Sequence, residues 1–125
     1  MTKEIYWRIF LNTRDENKAR KMSRSILDSL EKTKLITLEL YWKDNSLYNM
    51  EIKQDILNQK TKDAFFEVIN NISKLSNSWK IELPNNLEED GFDFSGFSDS
   101  NFKWQYINWA SFMIQDKNLS VMDIC

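Results

Sequence analysis

The sequence predicts an α+β domain of ferredoxin-like arrangement: β-α-β-β-α-β with an added C-terminal strand, an antiparallel sheet with two helices on one face. Three observations lead there. Apolar and polar residues alternate in several short runs, the period of strands with one buried face. Two longer stretches carry apolar residues at three- and four-residue spacing, the stripe of an amphipathic helix. These runs are ordered strand, helix, two strands, helix, strand, long polar stretch and last strand, within 125 residues, a length suited to one domain with its own core.

Ile5, Trp7, Ile9 and Leu11 alternate with Tyr6, Arg8, Phe10 and Asn12, which predicts a first strand over 4–12. Thr13 and Glu16 then have the spacing of a capping box. Ala19, Met22, Ser23, Ile26 and Leu30 fall on one side of a first helix over 14–33, whose outer face is basic through Arg14, Lys18, Arg20, Lys21 and Arg24. Ile36, Leu38, Leu40 and Trp42 alternate again, Lys43-Asp-Asn-Ser46 has turn chemistry, and Tyr48, Met50 and Ile52 follow, which together predict an antiparallel hairpin. The stripe Ala64, Phe65, Val68, Ile69, Ile72 and Leu75 places a second helix over 60–76.

Trp79, Ile81 and Leu83 form a fourth strand that Pro84 stops, because proline has no N–H to give a ladder. Residues 85–101 read as a long acidic loop that holds both glycines, Gly91 and Gly96. Phe102, Trp104 and Tyr106 restart alternation, and Phe112 and Ile114 continue it after a change of phase near Asn108–Ala110, where a β-bulge is expected. Residues 116–125 read as either a short extra element or a tail. All five tryptophans fall on predicted strands; most are expected in the core, with Trp109, beside the bulge, turned outward.

Composition narrows the function classes. With 42% hydrophobic and 29% charged residues the chain is too apolar to be disordered. The opening Met1-Thr-Lys-Glu-Ile-Tyr-Trp-Arg is interrupted by charge, unlike a signal peptide, and no run approaches the roughly 20 apolar residues of a membrane span. The one cysteine, Cys125, has no second thiol to pair with. A cytoplasmic protein without membrane contact is therefore expected. The chain has no histidine, which removes imidazole-dependent triads and, with a single Cys, the usual transition-metal sites. Two glycines supply no phosphate-cradling loop. No catalytic residue, metal or cofactor is expected, and of enzyme chemistries only a carboxylate-based one stays open.

Charge is unevenly placed. Residues 1–80 carry fifteen Lys or Arg against eleven Asp or Glu, and residues 81–125 carry two against eight. The acids of this second part concentrate in Glu82, Glu88, Glu89, Asp90, Asp93 and Asp99, interleaved with Phe92, Phe94 and Phe97 and free of Lys or Arg. Such a stretch is either a solvated loop lapping the core or a partner surface, in which aromatics give desolvated contact and acids speed encounter. On the second reading the partner-binding residues are Glu88, Glu89, Asp90, Phe92, Asp93, Phe94, Phe97, Asp99 and Trp109. Calcium is not expected there, since the Asp-x-Asp-x-Asp-Gly spacing is missing and aromatics occupy ligand positions. The basic face of the first helix is a rival surface for nucleic acid, disfavoured by the lack of an RNA-recognition motif and the net charge of −2.

With Asp90-Gly-Phe-Asp-Phe-Ser-Gly-Phe97 followed by Phe102-Lys-Trp104, the chain resembles the immunity proteins that bacteria pair with secreted or contact-delivered toxins. The resemblance implies a cytoplasmic inhibitor that occludes a cognate protein toxin, often a nuclease, whose basic active-site cleft the acids would meet in place of phosphate. The alternative is a small-ligand or regulatory module using the ferredoxin-like sheet.

Overall fold

The innermost strand is the first. In the computed structural model, which describes residues 3–82 and 94–117, β1 (Lys3–Leu11) buries Ile5, Trp7, Ile9 and Leu11 completely and leaves Tyr6, Arg8 and Phe10 half-buried on the other side. The alternation read from the sequence is thus the division between the two faces of a sheet. The remaining elements are α1 (Glu16–Ser29), β2 (Thr33–Leu40), β3 (Tyr48–Asp55), α2 (Thr61–Ile72), β4 (Lys80–Glu82), β5 (Ser95–Ser98) and β6 (Ile107–Asp116). Ala19, Ser23 and Ile26 of α1, and Ala64, Val68 and Ile72 of α2, are buried, and their apolar members join the same core as the four β1 side chains. Both helices therefore cover one face. Among the described residues no helix covers the opposite face, that of Tyr6, Arg8 and Phe10.

The sheet has six strands in the order β2-β3-β1-β6-β5-β4, with every pairing antiparallel. The α+β class and the predicted hairpin, here β2 with β3, are present. The spatial order corrects the ferredoxin-like expectation, because the strand beside β1 is β6 and the fourth strand lies at the far edge. Length gives the physical reason. β1 has nine residues to pair on each side, β6 has ten, and β4 has three. The β1–β6 ladder runs from Lys3 opposite Asp116 to Leu11 opposite Ile107, and a strand of three residues would leave most of that edge of β1 unsatisfied.

Several boundaries differ locally. The predicted loop 85–101 contains β5, a four-residue strand pairing β4 with β6, while residues 83–93 lie outside the described part. Phe102–Tyr106 is not a strand: Phe102 makes a single bridge to Ser76, and β6 begins at Ile107. The expected bulge in β6 is present, since Phe10 faces Trp109 and Leu11 faces Ile107, leaving Asn108 as the extra residue. A second bulge falls at Ile36, where Leu35 faces Ile52 and Thr37 faces Glu51. It breaks the phase read for Ile36, Leu38 and Leu40. The first helix is shorter than expected and is capped by Asp15, whose carboxylate accepts from the Asn17 N–H, while Thr13 Oγ1 accepts from the Asp15 N–H. The second is also shorter, ending at Ile72. Of residues 116–125, Asp116 ends β6 and 118–125 lie outside the described part.

The tryptophans divide in three ways. Trp7 is fully buried at an edge-on 6.0 Å from Trp79, and both rings meet Phe112. Trp79 and Trp104 pack partly buried against the core from outside the strands, and the Trp79 indole N–H donates to the Ile72 carbonyl. Trp42, expected at the end of the second strand, lies beyond it and is 81% exposed.

Candidate partner-binding surface

The helix-free face has a charged end and an aromatic end. At the first, Lys53 pairs with Glu4 at 3.7 Å and Lys117 with Asp55 at 2.6 Å, while Lys3 and Asp116, 3.1 Å apart, close the same end of the β1–β6 ladder in the register of the core face. The Gln115 amide donates to Glu4 at 2.6 Å. These groups answer one another.

At the other end, side chains from neighbouring strands form a row of rings. Phe10 of β1 lies 4.6 Å from Tyr41, just beyond β2, and 5.4 Å from Trp109 of β6; Trp109 in turn stacks on Phe97 of β5 at 6.4 Å. Trp42 extends the row, edge-on to Tyr41 at 6.3 Å. The register explains the assembly: Phe10 faces Trp109 directly, and Phe97 faces Ser111, two residues along from Trp109 on the same side. The bulge at Asn108 lets Trp109 join the open face while Ile107 and Ala110 remain in the core. Cations lie over the rings: Arg8 at 5.2 Å from Phe10 and 5.7 Å from Tyr41, Lys80 at 5.3 Å from Phe97, and Lys43 at 5.0 Å from Trp42. Arg8 is also oriented by a bond to Asn49 Oδ1, and Asn49 donates in turn to Glu51.

Beside Phe97 and Trp109 a groove of about 490 Å³ runs across β4, β5 and β6. Ser95, Ser111, Met113, which is 48% exposed, Lys80 and Glu82 are among the residues that line it. Glu82 faces Ser95 in the β4–β5 ladder.

The residues expected to bind a partner are therefore separated by the structure. Phe97, which is exposed, and Trp109, which is half-buried, share the helix-free face, and Asp99 is exposed just past β5. Phe94 is buried in the core against Phe65 and Phe112, at 5.1 and 5.5 Å, so its ring is part of the interior. Glu88, Glu89, Asp90, Phe92 and Asp93 lie outside the described residues. Phe10, Tyr41 and Arg8 were not singled out from the sequence. The signal was present in the second face of β1, which carries Tyr6, Arg8 and Phe10 where a solvated face would be uniformly polar.

The rival face on α1 exposes Lys18, Lys21 and Arg24, pairs Arg20 with Glu16 at 3.4 Å, and sends Arg14 to Asn45. The helix itself carries no aromatic residue. Among the described residues no helix is long and apolar enough to cross a membrane, and no three Cys, Asp or Glu side chains gather as a metal site. The chain matches no protein-family model, no curated protein and no solved structure, so the functional reading rests on this surface.

Proposed function

We propose that the chain is a non-catalytic binding protein that acts in the cytoplasm as the immunity partner of a bacterial protein toxin, covering the toxin's basic site. The observation that carries the reading is the stacked pair Phe97 and Trp109 on the helix-free face of the sheet beside a groove, with Phe97 falling in the most acidic stretch of the sequence. Trp, Tyr and Arg at the centre of a contact supply most of its energy, and surrounding acids accelerate encounter with a positive cleft. Co-purification with the product of a neighbouring gene identifies the partner. In that complex Trp109→Ala is expected to lower affinity by about 2 kcal/mol, roughly thirtyfold. Changing Glu88, Glu89, Asp90, Asp93 and Asp99 to Asn or Gln weakens binding further and flattens its salt dependence. Unchanged affinity in both variants, or turnover by the purified chain alone, contradicts the proposal.

The groove supports a second reading, a small-ligand or regulatory module, since a cleft with apolar and aromatic lining, two hydroxyls, a lysine and a glutamate can hold a small polar aromatic metabolite. A metabolite that raises the melting temperature of the protein, but not of Trp109→Ala, favours that reading.

A further inference from the structure

β2 forms one edge of the sheet, and among the described residues no strand pairs with its outer side. Leu35, Ile36 and Leu40 are 38%, 43% and 44% exposed, and Trp42 follows directly. An edge strand leaves a row of backbone donors and acceptors ready for another strand, and proteins ordinarily blunt such edges by shortness, charge or a bulge. At eight residues β2 is not short, and its bulge has a particular geometric effect.

The pairing with β3 assigns every β2 side chain except that of Ile36 to a face. Thr33, Leu35, Leu38 and Leu40 stand opposite Gln54, Ile52, Met50 and Tyr48, on the helix side; Lys34, Thr37 and Glu39 stand opposite Lys53, Glu51 and Asn49, on the open side. Because Ile36 is the extra residue, Leu35 and Leu38 share a face although they are three apart. A strand laid antiparallel to its own copy, with the two-fold axis perpendicular to the sheet and through the bulge, then sets Leu35 against Leu38, Thr33 against Leu40, and Lys34 against Glu39. Each pair lies on one face. In an unbulged strand the same odd offset would set opposite faces against each other. Two registers centred instead on Lys34 or Glu39 would oppose like charges.

We propose that β2 is the docking edge for a second copy of this chain, joined in a two-fold antiparallel pairing that extends the sheet and places Lys34 of each copy across from Glu39 of the other. β2 is the sheet edge away from Phe97 and the groove, and neither Lys34 nor Glu39 belongs to the row of rings, so the proposal stands independently of the immunity reading. It is tested by sedimentation equilibrium of the full chain over a wide concentration range. The wild type is expected to show a concentration-dependent dimer. Lys34→Glu and Glu39→Lys, each replacing two opposite-charge pairs by two like-charge pairs, are expected to raise the dimer dissociation constant about tenfold or more. The double variant, which restores opposite charges with the signs exchanged, is expected to recover the dimer. A wild type that remains monomeric throughout overturns the proposal and leaves the edge to a strand of some other protein. A dimer unaffected by either single change, or one that the double change fails to restore, also overturns it. Both residues are solvent-exposed, and far-ultraviolet circular dichroism establishes that each variant is folded.

Discussion

Gln54 shows how much one polar side chain can decide. It is 1% exposed, accepts from the Trp7 indole N–H at 2.9 Å and donates to the Glu31 carbonyl at 3.0 Å, so one amide satisfies the largest buried ring and ties it to the loop after α1. Gln54→Leu fills similar space but strands the indole N–H, and is expected to lower unfolding free energy by about 1–3 kcal/mol in urea melts. Tyr106 gives a pH-dependent signature. Burial holds its phenol above the ordinary value of 10.0, against a smaller opposing effect of a hydrogen bond from Ser25. The folded state therefore holds the phenolic proton more tightly than the unfolded chain. The resulting stability is fully present below pH 10 and is lost as pH rises through the higher folded value. Tyr106→Phe is expected to remove that part of the alkaline decline in melting temperature. From sequence, Trp7 and the apolar β1 residues were legible as core because period two leaves no other face for them. Phe94 was not, because a phenylalanine between acids looks the same whether it anchors a partner or turns inward.

At the scale of elements, legibility followed length. β1, the β2–β3 hairpin and both helices each repeat their period several times, and all are found near the expected places. β5 repeats it hardly at all: Ser95-Gly-Phe-Ser98 has a glycine at the position facing the core and reads as loop. That glycine has a structural cause. A Cβ on Gly96 would sit 2.7 Å from the Lys80 carbonyl oxygen and 2.9 Å from a ring carbon of Phe112, so only hydrogen fits between β4 and the core. Gly96→Ala is expected to cost about 1–3 kcal/mol and, if the strain is relieved by parting β4 from β5, to speed amide exchange from Lys80 to Glu82. The alternation of Phe102, Trp104 and Tyr106 misled for the converse reason: partly buried rings on a loop packed against the core can fall into period two without a ladder. At α1, Asp15→Ala removes the cap on the Asn17 N–H and is expected to lower stability by about 1 kcal/mol, whereas Thr13→Ala, off the helix, lowers it less.

Over the whole molecule, the strand order was the least legible feature, since pairing β1 with β6 depends on residues about a hundred positions apart and local pattern cannot express it. Tyr6 faces Lys53 on one side and Met113 on the other, so the centre of the sheet is assembled from its first, third and last strands. Ending the chain before Ile107 would remove Ala110, Phe112 and Ile114 from the core and uncover one side of β1. Such a fragment is expected to lose near-ultraviolet circular dichroism and cooperative melting, whereas a domain built on adjacent hairpins would retain part of both. The same closure has a consequence during synthesis. Until residues 107–116 have cleared the ribosome, the nascent polypeptide holds an apolar ribbon with a vacant flank, so its exposure to misassembly is set by how fast the last ladder is translated rather than by how stable the finished protein is.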